Sequence, residues 1–239
     1  MAKRRKEEWK VYGNVFDEFT IANIQKLMSQ RIVEGIESPI KIGKEANIFT
    51  STTSEEDKRI LKIYRLESCN FNKMYNYIKS DPRFVGIKKQ RRQVIFSWVK
   101  REYKNLMKAR QVGVRVPTPF SVINNIIVLE LIGEKDPAPQ LKDRQPEDMK
   151  QFFDDIIKNL KLLYIKAGLV HADLSEYNIL NFNDKPVLID FSQSTTTKDF
   201  AAMDYLKRDI KNLKRYFSKF GVIVEEDKII EEITKDKSN

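Results

Sequence analysis

Asp173 and Asn178 stand five residues apart in Leu169-Val170-His171-Ala172-Asp173-Leu174-Ser175-Glu176-Tyr177-Asn178-Ile179-Leu180. A carboxylate and a carboxamide at that spacing let one loop present a base to an attacking hydroxyl and an amide oxygen to a metal ion, as phosphoryl transfer requires. Twelve residues after Asn178, Asp190 closes the apolar run Val187-Leu188-Ile189, which reads as a buried strand ending in an acid.

Composition narrows the chemistry further. His171 is the sole histidine and Cys69 the sole cysteine. A histidine metal site, a Ser-His-Asp triad elsewhere, a cysteine metal cluster and an intrachain disulfide are therefore excluded or nearly so. Any metal is then oxygen-bound, and a reducing, cytoplasmic setting is expected. His171 itself, next to Val170, reads as a structural residue bonded to backbone. The longest apolar run, Ile126 to Ile132, is broken by Glu130, so no signal peptide or membrane span is expected. The formal net charge of +10 suits an anionic partner such as a nucleotide or nucleic acid, with simple solubility as the plain alternative.

The elements that must position these groups follow from pattern and punctuation. A basic tail, Met1 to Lys10, leads into a helix between Asn14 and Ile36, with Phe19, Ile24, Leu27 and Met28 at helical spacing and Thr20 as its N-cap. Pro39 to Phe49 reads as strand, turn at Gly43, strand, and Arg59 to Tyr64 as a third strand. Gly43 alone is a weak phosphate-loop signal. Lys62, inside that third strand, requires either an anionic partner within a site or an edge position from which it reaches water. Cys69 to Gln93 shows no period and reads as a long loop. A helix from Val94 to Arg110 carries Phe96, Val99, Tyr103, Leu106 and Met107 on one stripe. Glu102 is the only acid among ten basic residues between Arg83 and Arg110. It pairs either with Lys62 or with a helical neighbour, and the basic excess is either a solvated face or an RNA contact.

Phe120 to Ile123 and Ile126 to Ile132 form a hairpin turned at Asn124-Asn125. Glu134 to Pro139 then marks a boundary between strands before it and helices after it, and such a crevice is where a ligand binds. Pro146 opens a helix with Phe152, Ile156, Leu160 and Leu163 on its apolar stripe, stopping near Gly168. Strands Ile179 to Phe182 and Val187 to Asp190 turn at Asn183-Asp184. A last helix carries Leu206, Ile210, Leu213 and Phe217 and stops at Gly221, before a charged end.

Gly43, Lys62, Glu102, Asp173, Asn178 and Asp190 reproduce the order and approximate spacing of the protein-kinase parts. On Gly43-Lys44-Glu45-Ala46-Asn47-Ile48, Leu61 to Tyr64, Trp98 to Leu106, Leu129 to Gly133, His171 to Leu180 and Ile189 to Ser192, the chain resembles the RIO-type atypical serine/threonine protein kinases. The resemblance runs from about Val15 to Gly221 and is to the archaeal-like subfamily without an N-terminal winged helix. It implies an α+β, two-lobed protein-kinase-like fold: a basic tail and helical extension over 1–37, a β-rich N-lobe over 38–133 and a truncated helical C-lobe over 134–239.

The resemblance also implies a chemistry. ATP with Mg2+ or Mn2+ would sit beneath Gly43, Lys44 and Glu45, with Lys62 on the α/β-phosphates and held by Glu102. Backbone groups from Glu130 to Ile132 would meet the adenine, Asn178 and Asp190 would hold the metal, and Asp173 would orient the nucleophile. Asp190 would also be a covalent acceptor, as a carboxylate beside the γ-phosphate can be. The implied role is maturation of the small ribosomal subunit, by a cytoplasmic monomer that meets the subunit precursor and its RNA.

Three departures qualify this. Ala172 replaces the arginine that reads a phosphorylated activation loop. Only 49 residues follow Asp190, with no Ala-Pro-Glu element, so an activation segment and a peptide-holding lobe are not expected. Lys41-Ile42 precede Gly43 where related chains tend to have Ser-Thr. The expected function is transfer of the γ-phosphate to a serine hydroxyl, to Asp190 itself or to water. The alternatives are a nucleotide-gated RNA-binding switch and a small-molecule kinase of the aminoglycoside or choline type, which would need a larger, acidic substrate lobe.

Overall fold

A computed structural model describes residues 16–79, 81–84, 86–134 and 136–235. The basic tail expected over Met1 to Lys10 lies outside them. Helix α1 spans Glu18–Ser29 and is capped by Asp17, whose Oδ1 accepts the Thr20 N–H at 3.0 Å. The cap thus falls one turn before Thr20: a carboxylate satisfies a free N–H and also complements the positive helix end.

The first five strands form one antiparallel sheet in the order β1-β2-β3-β5-β4. Its members are β1 (Pro39–Ile42), β2 (Ala46–Thr52), β3 (Lys58–Tyr64), β4 (Pro119–Ile123) and β5 (Ile126–Glu130). Asn124, at φ 48°, supplies the left-handed residue of the β4–β5 hairpin. Lys62 lies opposite Ile48 of β2 and Ile127 of β5, in the middle strand. The edge-strand explanation for this lysine is thereby removed.

One sheet face packs on α1, where Ile24 and Leu27 join Phe49, Leu61, Ile63 and Val128 in a closed apolar cluster. The other face belongs to the larger core, which runs through α3 (Arg91–Gln111) into the second lobe. The segment read as a long loop, Cys69 to Gln93, instead holds α2 (Phe71–Lys79), a 3-10 turn (Pro82–Phe84) and the first residues of α3. Its pattern was hidden because α2 buries only Met74 and Ile78. Two apolar anchors four residues apart suffice for a helix supported by tertiary packing, but not for a recognisable stripe.

In the second lobe α4 (Met149–Ile165) buries Phe152, Ile156, Leu160 and Leu163 as its periodicity predicts. Its cap is Asp148, which accepts the Gln151 N–H at 2.8 Å, so Pro146 precedes the helix rather than opening it. Strand β6 (Leu169–Val170) pairs with β9 (Thr195–Thr196), and β7 (Ile179–Phe182) with β8 (Lys185–Leu188). Asn183 and Asp184, at φ 52° and 54°, make the two-residue turn between β7 and β8. Helix α5 (Ala202–Phe217) is followed by α6 (Glu226–Thr234), a helix not anticipated after Gly221, which packs on α4 and α5. The architecture is α+β, with a β-rich and a helical lobe. Among the described residues no helix is long and apolar enough to cross a membrane.

Candidate active site

Alternate residues of a strand share a face, so β3 directs Lys62 and Tyr64 together toward α3. Lys62 Nζ donates to Glu102 Oε1 at 2.7 Å and to Asp190 Oδ1 at 3.0 Å. The Tyr64 hydroxyl donates to the other oxygen of Glu102 at 2.6 Å. Lys62 is 8% and Glu102 1% exposed. Burial alone would discharge the lysine, but Asp190 and Glu102 overcome it and raise its pKa well above the ordinary value. Burial likewise pushes the Asp190 carboxyl up, yet the Lys62 ammonium and the Ser192 hydroxyl, 2.7 Å away, hold it at about 2.

Two non-glycine residues of the site, Ala172 (φ 66°) and Asp190 (φ 62°), are left-handed. Each such conformation costs roughly 1–3 kcal/mol and persists only where the surroundings over-determine it. For Ala172 the constraint is Asp209 of α5, which accepts the N–H groups of Ala172 and Leu174 at 2.8 and 2.9 Å. Arg208 donates to the Ala172 carbonyl, and Asn212 to that of Leu174 at 3.1 Å. Burial outweighs those two N–H groups and lifts the Asp209 carboxyl to about 7.

His171 is fully buried, with Nε2 3.0 Å from the Ile189 carbonyl and its ring against Phe191. Burial depresses it to about 4, so the neutral imidazole serves backbone, as its sequence context predicts. Asp173 is lifted to about 6 by burial and by the charge of Asp190, and Gln193 Nε2 donates to its Oδ2 at 2.7 Å. Asn178 Nδ2 donates to the Asp173 carbonyl at 2.8 Å, which leaves the amide oxygen as the acceptor on offer. The Ile189 N–H donates to the Asn178 carbonyl at 3.0 Å, tying this loop to the segment that carries Asp190.

Helix α3 braces the Asp190 loop from behind. Asn105 Nδ2 donates to the carbonyls of Phe191 and Ser194 at 3.1 and 2.9 Å, and Arg101 reaches that of Ser192 at 3.5 Å. Arg101 also pairs with Asp81 at 3.0 Å, both side chains being fully buried. Sequence reasoning missed Tyr64, Asp81, Arg101, Asn105, Gln193 and Asp209. A signal existed: Arg101 and Asn105 fall in phase with Trp98 and Ala109 on the buried stripe of α3, where polar residues require dedicated partners.

Between the lobes lies a cavity of about 720 Å3. Ile48, Ile60, Leu129 and Ile189 make it apolar, while Lys62, Glu102, Asn178 and Asp190 stand in its wall. Glu130 and Ile132 also line it; Gly43, Lys44, Glu45 and Asp173 do not. The Gly43 N–H donates to the Ala46 carbonyl at 3.1 Å, and a Cβ on Gly43 would lie 2.7 Å from that oxygen, so the tight turn requires glycine. The Lys44 and Glu45 carbonyls are tied to Ser68 and Cys69, at 2.9 and 3.1 Å. The Glu130 carboxylate is engaged by Arg115 at 2.7 and 3.0 Å and by Thr118; these overcome burial and hold it at about 2. Its N–H donates to the Thr118 carbonyl at 2.8 Å, so neither the carboxylate nor that N–H is free to serve a ligand.

An apolar slot with a cation and oxygen donors at one end has the chemistry to hold a planar base and its polyphosphate. One carboxylate and one amide oxygen suit Mg2+, which keeps several waters and takes its remaining ligands from phosphate. Among the described residues no group of three or more histidine, cysteine or acidic side chains forms a site for a tighter-binding metal.

The chain is similar to known proteins. A profile of the RIO domain matches residues 47–229. RIO-type serine/threonine-protein kinase Rio1 of Haloferax volcanii is 35% identical over 97% of this chain and 80% of its own length. The Rio1 of Methanocaldococcus jannaschii is 38% identical over 91% of this chain and 75% of its own. A solved Rio2 kinase-ADP/Mg2+-phosphoaspartate complex from Chaetomium thermophilum superposes with a TM-score of 0.64, at 21% identity, over 90% of this chain and 66% of that one. That likeness is one of fold and assigns the kinase-like two-lobed architecture. With most of its length matched both by the domain profile and by archaeal Rio1 sequences, the chain belongs to the family of RIO-type serine/threonine-protein kinases.

Proposed function

We propose that the chain binds ATP with Mg2+ in the cleft between an N-lobe over 38–133 and a C-lobe over 134–239, and transfers the γ-phosphate. The observation that carries this reading is Lys62 Nζ bridging Glu102 and Asp190 at 2.7 and 3.0 Å in the cavity wall. The metal, when bound, neutralises charge that develops on the transferring phosphoryl group. Asn178 and Asp190 hold it, and Lys62, kept on Glu102, takes the α/β-phosphates. Backbone groups from Glu130 to Ile132 would meet the adenine edge, and the turn at Gly43, Lys44 and Glu45 would lie over the nucleotide.

In this reading Asp173 takes the proton. Its pKa of about 6 leaves it ionised at neutral pH yet basic enough to accept a proton from a hydroxyl or a water molecule. The acceptor is a serine hydroxyl, water, or Asp190 itself. In the last case an Asp190 oxygen forms the new bond to phosphorus as the bond to the ADP oxygen breaks. The wider role is in maturation of the small ribosomal subunit, in the cytoplasm and as a monomer.

The deciding experiment is incubation with γ-labelled ATP and a lability test of protein-bound label. Hydroxylamine-sensitive label that vanishes in Asp190→Ala identifies an acyl phosphate. Acid-stable phosphoserine on added proteins, with none on Asp190, identifies a hydroxyl acceptor. Full ATP turnover in both Asp173→Ala and Asp190→Ala overturns the reading.

A further inference from the structure

Helix α1 covers the sheet face opposite the cleft, and covering it needs only apolar residues. Ile24 and Leu27 serve that purpose, yet Thr20 and Asn23 are buried with them, 1% and 6% exposed. Both take part in one closed network. Asn125, itself fully buried, donates through Nδ2 to Thr20 Oγ1 and to the Tyr64 carbonyl, each at 2.9 Å. Its own carbonyl accepts the Tyr64 N–H at 2.8 Å. Asn23 closes the network by donating to Asn125 Oδ1 at 3.4 Å and accepting from Asn124 Nδ2 at 2.9 Å. Both backbone groups of Tyr64 are therefore held by Asn125, and Asn125 is held by α1. From the other side of the sheet the Tyr64 hydroxyl reaches Glu102 at 2.6 Å.

We propose that Tyr64 is a positioning residue that keeps the Glu102 carboxylate on Lys62, and that helix α1 sets Tyr64 through Asn125. The inference rests on the reading of Lys62 as the phosphate-binding lysine. Glu102 is 1% exposed, so water does not replace a lost donor at its second oxygen. Lys62 has two carboxylates to choose from, Glu102 at 2.7 Å and Asp190 at 3.0 Å. With Glu102 anchored at both oxygens, the lysine keeps a partner on α3 when a metal ion draws Asp190 away. With the Tyr64 anchor gone, Glu102 turns, Lys62 moves onto Asp190, and lysine and metal compete for one carboxylate.

That competition gives a readout which loss of stability alone does not produce. Calorimetric titration of the full chain with ATP at a series of Mg2+ concentrations measures it directly. Tyr64→Phe weakens ATP binding about tenfold at low Mg2+, and the difference from wild type closes as Mg2+ rises. Thr20→Val shifts binding in the same direction by a smaller factor, while Thr20→Ser, which keeps the hydroxyl, binds as wild type. Unchanged affinity in Tyr64→Phe at every Mg2+ concentration, or a loss that Mg2+ does not repair, overturns the proposal. Should Tyr64→Phe fail to fold, the Thr20 pair decides: equal curves for Thr20→Val and Thr20→Ser overturn it. Loss of ATP binding in Lys62→Met with none in Tyr64→Phe refutes the positioning role alone. A wild-type chain that binds no ATP refutes the nucleotide reading and this inference with it.

Discussion

Arg101 and Glu102 are neighbours on α3, both buried, and each pairs with an opposite charge, but the two pairs are built differently. Arg101 meets Asp81 in a closed contact with neither side chain exposed, and Arg83 closes the other side of that acid at 2.6 Å. Glu102 meets Lys62, whose second partner, Asp190, has a side chain 37% exposed at the cleft. A pair sealed on every side is closed to solvent and ligand and holds shape. A pair with one open, exchangeable member can admit a ligand. The distinction is between a strut and a site, with the Asp190 loop leaning on both: Arg101 and Asn105 hold its carbonyls while Lys62 holds its carboxylate.

The largest expected effects separate the two pairs by what is lost. Lys62→Met and Asp190→Ala each lower ATP turnover by at least about 10^3-fold. They part in chemical denaturation. Asp190→Ala leaves Lys62 still paired with Glu102 and costs less than about 1 kcal/mol. Lys62→Met strands a buried carboxylate and costs about 3 kcal/mol or more. Equal destabilisation by the two variants would erase the distinction.

At the sealed pair the order is reversed. Asp81→Ala leaves Arg101 buried without its anion, a loss of about 3–5 kcal/mol. For a chain of this size each kcal/mol lowers the melting temperature by roughly 2–4 °C. Turnover per folded molecule falls only a few-fold, because Asn105 still holds the Phe191 and Ser194 carbonyls. A melting temperature within about 2 °C of wild type would show that Arg101 and Asp81 are not the strut described.

A further expectation concerns pH. With Asp173 at about 6, the base form is lost as pH falls through that value. kcat/KM should be level above pH 7 and drop about tenfold per unit below 6. The limb should disappear in Asp173→Asn, whose residual rate is the same at every pH. A flat wild-type profile from pH 5 to 8 would remove Asp173 from proton transfer.

The open pair was legible in the sequence and the sealed one was not, for a physical reason. Lys62 interrupts an apolar strand and Glu102 stands alone among basic residues, so each announces an absent partner. Asp173, Asn178 and Asp190 are spaced along one short stretch, and the apolar stripes of α4 and α5 fix the helices around it. Asp81 and Arg101 lie in and beside a segment with so few apolar anchors that α2 could not be seen. The same gap made the basic residues from Arg83 to Arg110 look like one unpaired surface. In the fold Arg83 and Arg101 turn inward to Asp81, and Arg91 donates to the Glu67 carbonyl at 2.5 Å. Tyr64 and Asn125 were invisible for another reason: both satisfy ordinary strand and turn patterns, and only the three-dimensional pairing gives them a second task.

The smallest effect tests whether burial, rather than contact distance, ranks these pairs. Lys150 and Asp154 meet at 2.5 Å on α4, closer than Lys62 and Glu102 at 2.7 Å, but with side chains 62% and 40% exposed. Water screens that contact, and both side chains lose rotamer freedom in making it. The order is also unfavourable, with the cation in the first turn, beside the positive end of the helix, and the acid four residues on. Lys150→Ala should therefore change unfolding free energy by less than about 0.5 kcal/mol, and the remainder should vanish in roughly 1 M salt, where the screening length is about 3 Å. The Lys62–Glu102 pair, with no room for solvent ions, should keep its contribution in the same salt. A cost above about 1 kcal/mol for Lys150→Ala would mean that proximity alone sets the strength of ion pairs in this molecule, and the contrast between strut and site would then rest on geometry without burial.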